Sequence, residues 1–251
     1  MLRHSYVEKR LALIDMFRTM FGDITEIQQA VLDNALTETY AKKGITAEHY
    51  RGKVAPKLGD LYDNLKRLSK GASVYERGPY AALLGRLKMY TTGVFKFLNR
   101  ETQIDVTNKF VVFDVGAMPK QIKPLMMFLI LDYVYSQMKH DSARKILLID
   151  EAWSLLQNAS EEGYIFEIVK TCRKYNLGLL MITQDVGDLV GSKAGRALLS
   201  NSSYTVLLRQ KPAVINNVVN AFHLSKTEKQ HLLTAQVGEG LLLLENDHQQ
   251  I

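Results

Sequence analysis

The sequence lacks the features that define several protein classes. Its 251 residues contain one cysteine, Cys172, so an internal disulfide is impossible and a reducing compartment fits. The most apolar stretch, residues 125–131, stops at Asp132, whereas a membrane-spanning helix needs about 20 apolar residues. The first residues contain no apolar segment typical of a signal peptide. These absences predict a cytoplasmic protein.

The composition excludes other classes. Apolar residues make up 47% of the chain and charged residues 23%, which excludes a disordered or fibrous protein. The formal charge of +6 is spread along the chain, so it permits a nucleic-acid or other anionic partner without requiring one. The six histidines show no ligand spacing, which argues against a metal site built on them.

A phosphate-binding loop of the form G-x-x-x-x-G-K-[ST] is also missing from these 251 residues. In such a loop, successive backbone N–H groups point at the phosphates and a lysine neutralises their charge. Any nucleotide bound by this chain alone would therefore lack the main cradle for its β- and γ-phosphates.

The first hundred residues have the spacing of helices. Apolar positions recur at intervals of three to four over residues 7–20, 24–35, 58–68 and 80–90. Thr25 with Gln28 predicts a capping box, and Thr46 could cap a further short helix. Gly71 and the pair Gly78 and Pro79 are expected to separate helices. This half shows no strand pattern.

The second half alternates short apolar runs with amphipathic helices. The runs occupy residues 110–113, 146–149, 179–182, 204–208 and 241–244. Helices are predicted at about residues 122–138 and around Ile165, Ile168, Val169 and Cys172. This alternation favours a mainly parallel sheet covered by helices on both faces. We therefore predict an α/β core over residues 105–251 and a mainly helical region over residues 1–104.

An acidic pair follows the second apolar run. Asp150 and Glu151 come directly after residues 146–149, at the end of a parallel strand where ligands bind. One carboxylate there can hold Mg²⁺ through water, and the other can orient a water that attacks a γ-phosphate. The alternative is a strand that ends in a solvated acidic pair. Trp153, just beyond, is expected to pack at the start of the next helix.

Two further residues extend this interpretation. Gln184 follows the next run and could hydrogen-bond the attacking water or the γ-phosphate, or simply bond a loop at the strand end. Arg173 lies late in the intervening helix, where a cation also suits the helix dipole. Its guanidinium could instead stabilise negative charge on a phosphate in the transition state.

Several segments together resemble a known family. The strings LLIDEAWSLL, TCRKYNLGLLMITQ, SNSSYTVLLRQ and VGEGLLLLEN are similar to the VirB/TraC/TrbE/CagE group of type IV secretion and conjugation ATPases. Residues 108–115 resemble the strand that precedes the acidic strand in that family, and the helical first half resembles its helical insertion. The resemblance implies a RecA-like P-loop NTPase core. The family's phosphate loop lies upstream of residue 1, so we expect a fragment truncated at both ends.

The resemblance also implies roles for individual residues. Asp150 would bind Mg²⁺ through its water shell, Glu151 would be the catalytic base and Gln184 would sense the γ-phosphate of ATP. Arg173 would reach the nucleotide of a neighbouring subunit, which requires a ring, expected to be a hexamer. The full-length protein would hydrolyse ATP at the inner face of the cell membrane with other secretion components, including the coupling protein. Attachment to the membrane would come through partners or missing residues.

The sequence is also compatible with two other functions. The acidic pair is shared with DNA-translocating pumps of the HerA and FtsK type and with conjugative coupling proteins, so DNA is a possible partner. The missing phosphate loop also allows a non-catalytic assembly module that uses the ATPase fold as a docking surface. The transported substrate is open as well: DNA, protein or pilin.

Overall fold

The computed structural model describes residues 6–50, 52–101, 108–140, 142–156, 159–184, 186–244 and 247–251. The chain divides into two compact units, Met1–Ile130 and Leu131–Ile251. The predicted boundary between residues 104 and 105 lies outside the described residues. The division at residue 130 falls within a helix, and each unit is described below by itself.

The first unit is helical in its described part. Its helices are α1 (Tyr6–Phe21), α2 (Glu26–Lys42), α3 (Leu58–Leu68), α4 (Val74–Thr91) and the first residues of α5 (Lys123–His140). The predicted capping box is confirmed, since the N–H of Gln28 donates to Thr25 Oγ1 at 3.2 Å and Thr25 N–H donates back to Gln28 Oε1 at 3.1 Å. The predicted helices at residues 58–68 and 80–90 are present within α3 and α4.

Two predicted boundaries in this unit are wrong. Thr46 is followed by a bend rather than a helix, because its hydroxyl accepts the N–H of His49 in a local turn. Gly78 and Pro79 lie inside α4 instead of before it. The N–H of Ser73 donates to Glu76 Oε2 at 3.1 Å, so a cap six residues upstream of Pro79 starts the helix earlier than expected.

The core of the first unit lies between α2, α3 and α4. Leu32, Leu83 and Leu87 are fully buried there. Asn64 on α3 is also buried, and its amide donates to the carbonyl of Ala35 and to Thr39 Oγ1, both at 3.1 Å. A buried amide is tolerated when its polar atoms are bonded, so this residue ties α3 to α2.

The strand predicted at residues 110–113 is wrong. The backbone there is irregular, and the side chains of Phe110 and Val112 are 84% and 71% exposed. A run of four apolar residues does not by itself provide the neighbouring strand that a β-strand needs for its backbone hydrogen bonds.

The second unit contains the strands and the remaining helices. The strands are β1 (Lys145–Ile149), β2 (Leu177–Met181), β3 (Thr205–Leu208), β4 (Gly240–Leu244) and β5 (Asp247–Gln250). The helices after α5 are α6 (Trp153–Leu156), α7 (Ala159–Thr171), α8 (Val186–Gly191), α9 (Lys193–Asn201), α10 (Ile215–Phe222) and α11 (Lys226–Thr234). Four of the five predicted runs therefore form strands, and the polar strand β5 was not predicted.

The sheet topology confirms part of the prediction. Strands β1 and β2 pair in parallel, from Lys145 opposite Leu177 to Ile149 opposite Met181. Strands β3, β4 and β5 pair antiparallel in that order, which corrects the mainly parallel arrangement expected for the whole core. Apolar runs do not encode strand direction, which depends on how the connecting segment returns the chain.

The expected cover on both faces of the strands is also wrong for the described residues. Ile146 and Leu148 on β1 are 80% and 55% exposed, and Leu180 on β2 is 50% exposed. The alternate residues are more buried, as the pleat of a strand with one covered face requires.

The crossover between β1 and β2 is formed by α6 and α7. Ile165 and Ile168 on α7 are fully buried, which confirms the predicted apolar face of this helix. Helix α7 packs on α9, and Glu162 Oε1 accepts the N–H of Ala194 in the first turn of α9 at 3.0 Å. This crossover fixes the two parallel strands side by side, with their carboxyl ends at the same edge.

Candidate functional site

The acidic pair lies at the carboxyl end of β1. Asp150 and Glu151 directly follow Ile149, and both are exposed. Glu151 has a φ of 50°, in the left-handed region that a residue with a Cβ seldom adopts. Its N–H donates to Asp150 Oδ1 at 2.9 Å, which supports this turn from the strand into α6. A strained backbone held in place by its surroundings is characteristic of functional sites.

Gln184 lies beside this pair at the end of β2. The backbone ladder continues past the strands, with Ile182 N–H bonded to the carbonyl of Ile149 at 2.9 Å and Ala152 N–H bonded to the carbonyl of Ile182 at 3.0 Å. The two strand ends are therefore level. The side-chain amide of Gln184 donates to Glu151 Oε1 at 2.6 Å. The structure thus brings together Asp150, Glu151 and Gln184, three of the four residues singled out from the sequence.

Trp153 contributes a contact that sequence reasoning missed. It is the first residue of α6, and its indole Nε1–H donates to Glu151 Oε2 at 2.6 Å. We expected this side chain to serve only as a packing residue. Nothing in the sequence reveals the left-handed turn at Glu151 that brings the indole back to the carboxylate.

A buried hydroxyl adjoins the site. Thr183 Oγ1 has no hydrogen-bond partner among the described residues, and it lies between Ile182 and Gln184 in the chain. Buried polar atoms are nearly always paired with protein or water, and exceptions deserve a functional explanation. An oxygen of a bound ligand at this strand end would pair with it.

Arg173 lies away from the other three residues. It belongs to the short 3₁₀ turn Cys172–Tyr175 just before β2, at the amino end of the parallel strands. A strand of five residues is about 16 Å long, so the sheet separates Arg173 from Glu151. Lys174 and Arg144 are exposed at the same amino end, where Asn176 bonds the carbonyl of Ser142.

The acidic pair has the chemistry to hold Mg²⁺. This ion prefers hard oxygen ligands and keeps several waters, so one or two carboxylates together with phosphate oxygens suffice. Asp150 is exposed and one of its oxygens supports the Glu151 N–H, which leaves its second oxygen for a water of the metal shell. Among the described residues, no group of three or more His, Cys, Asp or Glu side chains is placed to hold a metal.

The fold and the site define a class of protein. Two parallel strands with an acidic pair and a glutamine at their carboxyl edge are typical of P-loop NTPases. The chain belongs to the TraG P-loop domain family, whose model matches residues 25–239. The resemblance to type IV secretion and conjugation ATPases inferred from the sequence is thereby confirmed.

Individual relatives point to the same systems. The chain is 26% identical to Protein TraC of Escherichia coli over 205 residues and 23% identical to the type IV secretion system protein virB4 of Bartonella henselae over 219 residues. These matches cover 75% and 82% of this chain. The chain spans only 22% and 27% of the length of those two relatives.

Solved structures confirm the RecA-like fold. The structure of VirB4 of Thermoanaerobacter pseudethanolicus superposes with a TM-score of 0.80 at 27% identity, covering 98% of this chain and 68% of that one. The conjugative coupling protein TrwB, in a form with bound sulphate, gives a TM-score of 0.51 at 15% identity over the whole of this chain and 60% of its own, which is a likeness of fold alone. Among the described residues, no helix is long and apolar enough to cross a membrane.

Proposed function

We propose that this chain is part of the ATPase domain of a motor subunit in a type IV secretion or conjugation system, and that it is inactive alone because it contains no phosphate loop. One observation carries the proposal: Asp150 and Glu151 end one parallel strand, and the amide of Gln184 on the neighbouring strand contacts the Glu151 carboxylate at 2.6 Å. The family and the relatives named above support the same function. ATP hydrolysis would drive pilus assembly or the transfer of a substrate.

Glu151, Gln184 and Asp150 have separate roles in the proposed ATP hydrolysis. Glu151 takes a proton from a water whose oxygen bonds to the γ-phosphorus, while the bond to the bridging oxygen breaks and ADP leaves. Gln184 has a second amide hydrogen besides the one bonded to Glu151, and this hydrogen can bond the water or a γ-phosphate oxygen. Asp150 would hold Mg²⁺ through water, and the ion would neutralise charge on the phosphates when bound.

Arg173 acts in this proposal on a neighbouring subunit. Its place at the amino end of β2 keeps it from the Glu151 of its own chain, which supports a role in trans within a hexameric ring. Other secretion components, including the coupling protein, would be the partners of that ring at the inner face of the membrane. DNA remains a possible partner.

The missing phosphate loop gives a first test. We expect this chain to bind ATP weakly, and a longer chain that includes a G-x-x-x-x-G-K-[ST] loop to bind and hydrolyse it, as measured by calorimetry and phosphate release. Equal hydrolysis by the two chains would contradict this expectation. A longer chain that binds ATP without hydrolysing it would favour the non-catalytic assembly module.

The second test concerns Glu151 as the proposed catalytic base. Glu151→Gln in the longer chain keeps the size of the side chain and removes its ability to accept a proton. We expect ATP binding to persist and hydrolysis to stop. The matched control is Glu167→Gln, a change on the exposed side of α7 that should leave both unaffected. Retained turnover in the Glu151 variant would mean that the acidic pair is only a solvated strand end.

A further inference from the structure

The two oxygens of the Glu151 carboxylate accept bonds from two different elements. Gln184, at the end of β2, donates to Oε1, and the Trp153 indole, at the start of α6, donates to Oε2, both at 2.6 Å. An indole N–H can only donate, and bonds to a charged acceptor are short and strong. The carboxylate is therefore held against rotation about its terminal bond by two donors.

The backbone that carries the indole is itself fixed. The left-handed turn at Glu151 reverses the chain, and Ala152, which is fully buried, donates its N–H to Ile182 on β2. The N–H of Leu155, also buried, then donates to the carbonyl of Ala152 at 3.1 Å. Trp153 thus approaches Glu151 from a turn that is anchored to the neighbouring strand.

We propose that Trp153 is a positioning residue for the attacking water: its indole N–H fixes the orientation of the Glu151 carboxylate that accepts the proton. The proposal rests on the proposed function, in which Glu151 is the base. An acceptor that rotates freely would meet the water in many orientations, and misplacement of a reacting group costs rate without changing substrate affinity. Trp153 would thereby act on turnover through Glu151, with no contact of its own to the nucleotide.

The contact can be tested on the 251-residue chain without any activity. Trp153 is the only tryptophan in the sequence, so its indole N–H gives a single signal in a nitrogen-15 correlation spectrum. We expect Glu151→Ala to accelerate exchange of this hydrogen with solvent about tenfold, because its hydrogen bond to a charged acceptor is lost. Glu167→Ala removes a carboxylate on α7 and should leave the exchange unchanged. If Glu151→Ala leaves the exchange rate of the indole hydrogen unchanged, the proposal is wrong.

The role is tested by turnover in the longer chain that carries a phosphate loop. Trp153→Phe keeps an aromatic ring and removes the donor, and we expect kcat to fall about tenfold to a hundredfold with KM unchanged. Trp153→His keeps a ring N–H and should recover part of the loss. If Trp153 serves only as a packing residue, Trp153→Phe will hydrolyse ATP with the same kcat as the unchanged protein. The proposal is then wrong.

The same assay separates this inference from the function on which it rests. Loss of hydrolysis in Glu151→Gln together with normal kcat in Trp153→Phe would overturn the positioning role alone. Normal hydrolysis in Glu151→Gln would overturn the proposed function, and the positioning role with it. Thermal unfolding of each variant identifies any drop in kcat that comes from loss of folded protein.

Discussion

The amide of Gln184 contacts a carboxylate oxygen of Glu151 across 33 residues of sequence. The contact exists because β1 and β2 run in parallel and end level with each other, so that the residues just beyond them meet at one edge. Neither side chain is deeply buried, and both can be reached from solvent. The edge is therefore open to a ligand while its two polar side chains hold each other in place.

The Gln184 side chain should matter for hydrolysis more than for binding. In a longer chain with a phosphate loop, we expect Gln184→Ala to lower kcat about a hundredfold, because one preorganised donor to the reacting groups is lost. Phosphate release measures the effect. Gln210→Ala is the matched control, since Gln210 bonds the carbonyl of Leu208 beyond β3 and should leave kcat unchanged. Similar losses in both variants would indicate a general structural effect.

Arg173 should act across subunits. In the longer chain, Arg173→Ala should reduce ATP turnover about a thousandfold if its guanidinium stabilises the transition state. Lys174→Ala, at the adjacent exposed position, is the control and should change turnover little. Mixing Arg173→Ala with Glu151→Gln should recover activity, because some sites then combine an intact base with an intact arginine from the neighbour. Failure of all mixtures to recover would contradict action in trans.

Thr183 offers a test of stability. Its buried hydroxyl has no partner among the described residues, so Thr183→Val should raise the free energy of unfolding by about 1 kcal/mol. Trp153 fluorescence during urea unfolding reports this unit. Thr39→Val is the opposite case, since the Thr39 hydroxyl donates to the carbonyl of Ala35 at 2.6 Å and accepts the Asn64 amide. That variant should have a free energy of unfolding lower by about 1–3 kcal/mol, as measured by circular dichroism during urea unfolding. Destabilisation by Thr183→Val would show that its hydroxyl is paired in solution.

Stability should fall in acid partly through helix caps. The pKa of Glu228 is lowered mainly by hydrogen bonds with the hydroxyl and the backbone N–H of Ser225, and to a smaller extent by His248. The pKa of Asp60 is lowered mainly by the backbone N–H of Lys57. A carboxyl whose pKa is lower when folded stabilises the fold fully above its ordinary pKa of about 4, and this stabilisation is lost as the pH falls through the lowered value. We expect the unfolding temperature to drop between about pH 5 and pH 3.

A variant of the helix cap at Ser225 tests how much Glu228 contributes to the loss of stability in acid. Ser225→Ala removes the hydroxyl that accepts the N–H of Glu228 at 3.3 Å, and should cost about 1 kcal/mol at neutral pH. It should also flatten the acid response relative to the unchanged chain, since the largest cause of the lowered Glu228 pKa is gone. An unchanged acid response in Ser225→Ala would assign the pH dependence to other carboxyls.

Much of the arrangement of the candidate site was predictable because its residues follow strands that have strong apolar patterns. Residues 146–149 and 179–182 identified β1 and β2, and the carboxyl edge of a parallel pair brings their following residues together. The contact of Trp153 with Glu151 was not predictable, because it depends on a left-handed residue with a Cβ. No local pattern signals such a residue when it is neither glycine nor asparagine.

The errors in the fold have equally specific causes. Residues 110–113 carry a strand-like composition but lack a partner in the described structure, and β5 has a partner in β4 but a wholly polar sequence. Both cases show that strand formation depends on available backbone partners as well as on side-chain hydrophobicity. Helix α4 extends through Pro79 because its capping residues lie well upstream of the proline.

The exposed side chains of β1 and β2 have a practical consequence. Ile146, Leu148 and Leu180 present branched apolar groups to water on short strands, and such surfaces promote self-association at high protein concentration. Purification of these 251 residues should therefore succeed best in dilute solution with a mild detergent. Replacing Ile146 with threonine, which keeps the β-branched shape, would be the first change to improve the yield of monodisperse material for crystallisation.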